Sequence, residues 1–364
     1  MISISLFPGR YVQGRGALSK LGQECARMGR KAFVIASPYP QEHLLPAVLP
    51  GIKEQCDLAV ESFGRECSDE EIGRLSGLLE QAGGDLVVGI GGGKTLDAAK
   101  AVAHLAKVPA IMVPTIASTD APCSSVCVVY DSQGTFKRLD CLPRNPDAVL
   151  VDTQVVADAP ARFLAAGMGD ALATWFEAES CRIKQAPNIA GALGSMTAYA
   201  LARLCWDTIR EYGPVALASC AGHAVTPALE RVVEANTLLS GLGFESAGLA
   251  AAHSVHNGFT ALPQTRAYYH GEKVAFGVLA SLFLTDKSPA LMEQVYGFCQ
   301  AVGLPTTLAD LGLEEVTDQE LRRVAEKACA PGETMHNEPC ETSPAVVVDA
   351  IKAADAWGKH RRRA

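Results

Sequence analysis

The sequence predicts a doubly wound α/β domain over residues 1–155, followed by an all-α domain over residues 156–364. Three observations predict it. Short, unbroken apolar runs rich in β-branched residues alternate with helical stripes through the first 150 residues. After about residue 153 alanine and leucine take over, and strand-like runs nearly vanish. A chain of 364 residues also suits two domains, at roughly 100–200 residues each.

The apolar runs at 32–36, 85–90, 110–114 and 148–152 lack polar alternation. Such runs form strands covered on both faces, as in a parallel sheet. Between them lie amphipathic stripes. Residues 69–82 place Ile72, Leu75, Leu78 and Leu79 on one side, and residues 94–106 do the same with Leu96, Ala99, Val102 and Leu105. Strand–helix alternation of this kind builds a doubly wound fold. Residues 126–130 and 135–139, joined by Asp131-Ser132-Gln133-Gly134, form a β-hairpin near the domain's end. Helices are predicted near 160–183, 188–212, 227–241, 246–261, 272–285, 289–301, 317–329 and 343–357. Pro160 and Pro227 stand where helices can start. The domain boundary falls within residues 152–160, and a ligand site between two such domains is the expected arrangement.

Composition narrows the function. A formal net charge of −8 repels phosphate backbones, which excludes nucleic acid as a partner. The basic group Lys359, His360, Arg361, Arg362 and Arg363 is a solvated chain end. No run reaches the ~18 apolar residues of a spanning helix, so no membrane association is expected. The first seven residues lack a basic stretch followed by a long apolar one, so no signal peptide is expected. Twelve cysteines without a Cys-x-x-Cys pair suit reduced thiols in a cytoplasmic protein.

Two loops carry candidate binding chemistry. Gly91, Gly92 and Gly93 follow a predicted strand, and Lys94, Thr95, Leu96 and Asp97 open a predicted helix. Glycines let backbone amides approach a phosphate, and the helix N-terminus adds free N–H donors. The Gly-x-Gly-x-x-Gly spacing fails because Lys94 occupies its third glycine position, and the P-loop spacing fails because Val88 stands where its first glycine belongs. The second loop, Thr115, Ile116, Ala117, Ser118, Thr119 and Asp120, lies at the carboxyl end of the next strand, where α/β folds bind ligands. Its hydroxyls suit a ribose or pyrophosphate, and Asp120 suits a substrate hydroxyl.

Metal-binding residue types gather later in the chain. His253 and His256 are three apart on one predicted helix, so they share a face. His270 follows a turn region, Asp170 opens the helical domain, and His336 is a further histidine to consider. One carboxylate and two imidazoles suit Zn²⁺ or Fe²⁺ and leave a position open for substrate. The residues alone leave the choice between His253 and His256 open.

These residues and their surroundings resemble the glycerol dehydrogenases of the iron-containing alcohol dehydrogenase superfamily. The resemblance spans essentially the whole chain. It runs through 91–97, 114–122, 170–175, 234–246, 251–259 and 270–275. It implies a Rossmann-like domain plus a helical metal domain, the dehydroquinate synthase-like architecture, and NAD with Zn²⁺ as cofactors. It implies that Asp170, His253 and His270 hold the metal, with His256 beside the site as a candidate member of a proton relay. It implies cofactor contacts from Gly93, Lys94, Thr95, Leu96, Asp97, Thr115, Ile116, Ala117, Ser118, Ser124, Val126 and Tyr130, with Asp120 meeting the hydroxyls of a small polyol. The activity implied is oxidation of glycerol to dihydroxyacetone, and of related vicinal diols. A Lewis-acid metal would acidify the secondary hydroxyl, and hydride would pass to the nicotinamide. A homo-oligomer is implied as well.

Two departures matter. Iron-binding relatives carry an extra histidine one helical turn after the aspartate, and this chain has Thr174 there, which favours zinc over Fe²⁺. The glycerol dehydrogenases usually end the 32–36 strand with an aspartate that bonds the adenosine ribose, and this chain has Ser37. The serine removes a carboxylate that would repel a 2′-phosphate. NAD is still expected to be preferred, with weaker discrimination against NADP, because no Arg or Lys follows within residues 38–43. The rival expectations are a same-superfamily dehydrogenase of a 2-hydroxy acid or another alcohol, and a metal-dependent sugar-phosphate cyclase. Asp120 opposes the former by repelling a carboxylate, and the scarcity of Lys and Arg in 246–275 opposes the latter.

Overall fold

The computed structural model describes residues 2–131 and 134–363. Eight strands are present among them: β1 (Tyr11–Gly14), β2 (Lys31–Ala36), β3 (Asp57–Ser62), β4 (Leu86–Gly91), β5 (Ala110–Pro114), β6 (Val126–Tyr130), β7 (Phe136–Cys141) and β8 (Ala148–Asp152). Six of them form a parallel sheet in the order β1-β8-β5-β4-β2-β3. β4, β5 and β8 are buried at every residue, as the unbroken apolar runs require. β6 and β7 pair antiparallel as a separate two-stranded sheet, the expected hairpin, with Ser132 and Gln133 of its turn outside the described residues.

Two strands escape the sequence pattern. β1 (Tyr-Val-Gln-Gly) and β3 (Asp-Leu-Ala-Val-Glu-Ser) are the edges of the sheet and are partly exposed. Edge strands need only one paired side and tolerate polar residues, so neither stands out as an apolar run. Pairing defines them: Tyr11 sits opposite Val149 and Val34 opposite Val60.

The helices over 69–82 and 94–106 are Asp69–Ala82 and Gly93–Ala106. Ser68 caps the first by accepting the Glu71 amide, and Ile72, Leu75 and Leu79 are buried. In the second, Leu96, Ala99 and Val102 are buried while Leu105 is 61% exposed, against expectation. Steps of three fall short of a helical turn of 3.6 residues, so after nine residues the side chain has drifted to the opposite side.

The chain divides into two compact units. The first holds the parallel sheet and comprises Leu6–Pro160 with Ser219–Gly241. The sequence division at 155/156 placed that second segment with the helices. Instead it docks on β1 and the end of β8: Gln13 Nε2 donates to the Glu230 carbonyl at 2.9 Å, Thr153 Oγ1 to Glu230 Oε1 at 2.7 Å, and the Tyr11 hydroxyl meets Thr237 Oγ1 at 2.6 Å. The second unit is helical and comprises the N-terminal residues through Ser5, Ala161–Ala218 and the chain from Leu242 onward.

Most helices of the second unit follow the predicted bounds, including Ala161–Lys184, His270–Leu284, Pro289–Ala301 and Asp318–Ala328. The helix expected from 188 begins at Met196, because Asn188 Oδ1 accepts the amides of Ala190 and Ala192 in a turn. The helix expected over 227–241 passes through a π turn at Ala235–Leu239 and continues as Ser240–Ala247. Gly248, at φ +108°, then breaks the chain before Ala251–Phe259. Among the described residues no helix is long and apolar enough to cross a membrane.

Candidate active site

In the first unit the two loops named from sequence meet at the carboxyl ends of neighbouring strands. β4 delivers Gly91, β5 delivers Thr115, and the Thr115 amide donates to the Gly91 carbonyl at 3.0 Å. A Cβ on Gly91 would lie 2.7 Å from Ser37 Oγ and 2.8 Å from Thr95 Oγ1, so a side chain there would displace both residues. Gly92 and Gly93 face Ile116 and Thr119 of the second loop. Helix Gly93–Ala106 begins here with no acidic residue in its first turn, leaving its free amides and partial positive charge for an anion.

The remaining residues of the expected cofactor set behave less uniformly. Lys94 turns to Glu66, with its Nζ 2.6 Å and 2.8 Å from the two carboxylate oxygens and 4.6 Å from the centre of the Tyr130 ring. Leu96 is a core residue. Asp97 is buried and faces inward: its Oδ1 is 2.9 Å from Lys100 Nζ, and its Oδ2 accepts the Val128 amide at 3.1 Å. Lys100 in turn donates to the carbonyls of Ala121, Ser124 and Val126. This buried ammonium therefore fastens the segment that carries Ser124 and Val126 to the helix behind the glycine loop. Asn236 Nδ2 holds the Ala117 carbonyl at 3.0 Å. Asp120 is buried, and its Oδ2 accepts from Ser240 Oγ at 2.8 Å.

In the second unit Asp170, His253 and His270 converge, each offering a ligand atom within 4.8 Å of the others. Asp170 Oδ1 lies 3.0 Å from His270 Nε2 and 3.5 Å from His253 Nε2. Ligands about 2.1 Å from a tetrahedral ion stand about 3.4 Å apart, so the spacing and the donor set fit a divalent cation. Burial would raise the Asp170 carboxyl, but the charge of His270 and the hydrogen bonds from both imidazoles hold it below the usual carboxylate range. Burial opposes charge on His253 too, yet Glu177 and Asp170 raise it well above the ordinary imidazole value. Thr174, one turn after Asp170, is buried and brings no imidazole.

His256 is not in the three-residue group. Its Nε2 meets His270 Nδ1 at 3.0 Å, the ring nitrogen of His270 facing away from Asp170. Burial first, then the neighbouring His270, Lys273, His253 and Lys327, push His256 well below the ordinary imidazole value. His336 lies exposed in the turn Thr334–Asn337, outside the group.

Two features were missed in the sequence. Glu177 is buried, and its Oε2 lies 2.6 Å from His253 Nδ1. The signal was present: Asp170, Thr174 and Glu177 follow i, i+4, i+7 on one helix face. The other is the pair Gly169 and Gly271, each next to a site residue. A Cβ on Gly169 would lie 2.3 Å from the Gly271 carbonyl, and one on Gly271 would lie 1.8 Å from the Ala166 carbonyl. Helices Ala161–Lys184 and His270–Leu284 thus cross backbone to backbone where Asp170 meets His270.

Residues 8–153 match the family model described as iron-containing alcohol dehydrogenase. Over its whole length the chain is similar to a glycerol dehydrogenase of Thermotoga maritima, 60% identical over 100% of this chain and 99% of that relative. The chain belongs to the glycerol dehydrogenases of the iron-containing alcohol dehydrogenase family. It is also 51% identical to a glycerol dehydrogenase of Pseudomonas putida, over 97% of each chain. Among solved structures, a probable glycerol dehydrogenase from Sinorhizobium meliloti 1021 superposes with a TM-score of 0.93 at 43% identity, covering 99% of this chain and 100% of that one. The α/β unit with its parallel sheet and the helical remainder are the architecture of this family.

Proposed function

We propose that this glycerol dehydrogenase family member oxidises glycerol to dihydroxyacetone, and related vicinal diols likewise, with NAD as hydride acceptor and Zn²⁺ at Asp170, His253 and His270. The observation that carries the reading is the convergence of those three side chains within 4.8 Å, in a chain 60% identical to a named glycerol dehydrogenase. Three protein ligands, with Thr174 where a fourth would stand, favour zinc over iron. A divalent cation held there supplies Lewis acidity that lowers the pKa of an alcohol.

The chain's own residues supply the rest. Gly91, Gly92 and Gly93 give a pyrophosphate close access to the amides opening helix Gly93–Ala106. The hydroxyls of Thr115 and Ser118 and the carbonyls of the second loop are available to the cofactor. Asp97 and Leu96 act from behind that surface, since both side chains point into the fold. Asp120, held by Ser240, offers its carboxylate to a substrate hydroxyl and disfavours a hydroxy acid. We assign His256 to orienting His270 rather than to a proton relay, because it is buried and bonded to the far nitrogen of that ring. A cytoplasmic homo-oligomer completes the reading. It is supported by twelve free thiols and by exposed apolar residues such as Met196, Leu204 and Val215 on one helix.

The test is NADH formation at 340 nm by zinc-loaded protein given glycerol, 1,2-propanediol or a 2-hydroxy acid, with and without chelator. Chelator-sensitive NADH from the diols is the expected result. A clear preference for the hydroxy acid, or activity indifferent to chelator, would overturn the reading.

Cofactor choice yields a separate prediction. Ser37 stands against Gly91, at the strand end from which a carboxylate would bond the ribose 2′-hydroxyl and repel a 2′-phosphate. Ser37→Asp should therefore raise the ratio of kcat/KM with NAD to that with NADP by about tenfold or more. An unchanged ratio would show that the ribose is not read from this position.

A further inference from the structure

We infer that Glu177 is the positioning residue that fixes the tautomer and direction of His253, and thereby sets the strength of the metal site; the inference rests on the metal reading above. Glu177 lies two turns beyond Asp170 on helix Ala161–Lys184 and is 1% exposed. Its two oxygens serve three donors. Oε2 takes the His253 ring at Nδ1, 2.6 Å away, and Oε1 accepts the amides of Ala250 at 2.9 Å and His253 at 3.0 Å. One carboxylate thus grips both the ring and the backbone of the same histidine.

The chemistry follows from the donor inventory. An ionised carboxylate only accepts, so when His253 gives up a proton to serve as a metal ligand, the proton it keeps sits on Nδ1 beside Glu177, and its Nε2 lone pair is on the side of Asp170 Oδ1, 3.5 Å away. The negative partner also makes the imidazole a stronger donor to a metal. The far nitrogen of His270 meets the imidazole of His256, 3.0 Å away, and not a carboxylate. His253 is therefore the imidazole whose basicity this chain raises. The backbone grip matters as well. Helix Ala251–Phe259 begins at Ala250, which has no capping side chain, and its first amides are taken by Glu177 and by Glu338, whose Oε1 accepts the Ala251 amide at 3.0 Å. Because Glu177 and Asp170 share a helix, the ring and the carboxylate it faces are registered to one rigid element.

Glu177→Gln is the informative substitution. The amide is nearly isosteric but has only one acceptor oxygen. With that oxygen on the Ala250 and His253 amides, its NH₂ faces Nδ1, which must then accept, and the proton moves to Nε2, where a metal would bind. The experiment measures Co²⁺ affinity of the full-length protein by chelator competition, the visible ligand-field band of bound Co²⁺, and thermal unfolding of the metal-free form. The expected result for Glu177→Gln is a 10–100-fold loss of Co²⁺ affinity with a shifted band. Glu177→Asp keeps the charge one methylene farther away and should recover at least about threefold of that loss. It also serves as the test if the Gln variant fails to fold, when its expected band is intermediate between those of wild type and His253→Ala. Affinity within twofold of wild type and an unchanged band in either foldable variant would overturn the role of Glu177. A wild-type Co²⁺ spectrum that is absent, or that survives His253→Ala, would instead refute the metal reading itself.

Discussion

Asp170→Ala and His253→Ala are each expected to cut glycerol turnover by about a thousandfold or more, since a Lewis-acid metal held at the proposed site would lower the barrier by several kcal/mol. The two substitutions act differently. Asp170→Ala removes the carboxylate that both imidazoles face, at 3.0 Å and 3.5 Å, while Glu177 still holds the far side of His253. His253→Ala leaves Asp170 with His270 alone and deprives Glu177 of its ring partner. In both variants the bound-metal content after dialysis should fall to near zero, read by elemental analysis. NAD binding should survive, because the glycine loop and helix Gly93–Ala106 belong to the other compact unit. Titration of NAD by fluorescence checks this. Retained metal with normal turnover in either variant would sink the site assignment.

Gly271→Ala is expected to damage the site while touching no ligand. The new Cβ would lie 1.8 Å from the Ala166 carbonyl oxygen, 2.8 Å from its carbon and 2.9 Å from the Asp170 amide nitrogen. These are backbone atoms inside a helix, so no rotamer change relieves the clash. Helices Ala161–Lys184 and His270–Leu284 must part by on the order of 1.5 Å to reach ordinary van der Waals separation. Overpacking of this kind costs about 3 kcal/mol. It also separates Asp170 from His270, which flank the crossing and are 3.0 Å apart. Metal affinity should fall at least about tenfold, together with the unfolding temperature. Gly73→Ala is the control: that glycine sits in helix Asp69–Ala82 with open space around it, and the same exchange should stabilise by about 0.5–1 kcal/mol. Equal behaviour of the two variants would show that the helix crossing is not the constraint.

The sequence by itself determined the features that depend on neighbours along the chain. β2, β4, β5 and β8 were legible because strands buried on both faces leave unbroken apolar runs. The glycine loop was legible because three glycines between a strand and a helix have a local backbone purpose. Residue types and spacing nominated Asp170, His253, His256 and His270, and the family resemblance chose three of them.

Tertiary structure decided what depends on where distant segments meet. β1 and β3 are strands because β8 and β2 lie beside them, not because of their own side chains. Residues 219–241 joined the α/β unit through Gln13, Thr153 and Tyr11, partners no periodicity reveals. His253 and His256 share a helix face, yet one ring faces Asp170 and the other the back of His270. Glu177 carries the same i, i+7 spacing as any helix-face residue, and only the fold brings its carboxylate to within 2.6 Å of an imidazole. The physical reason is common to all of these. Helical and strand periods fix which way a side chain leaves its own element, while its hydrogen-bond partner is set by packing between elements far apart in the chain.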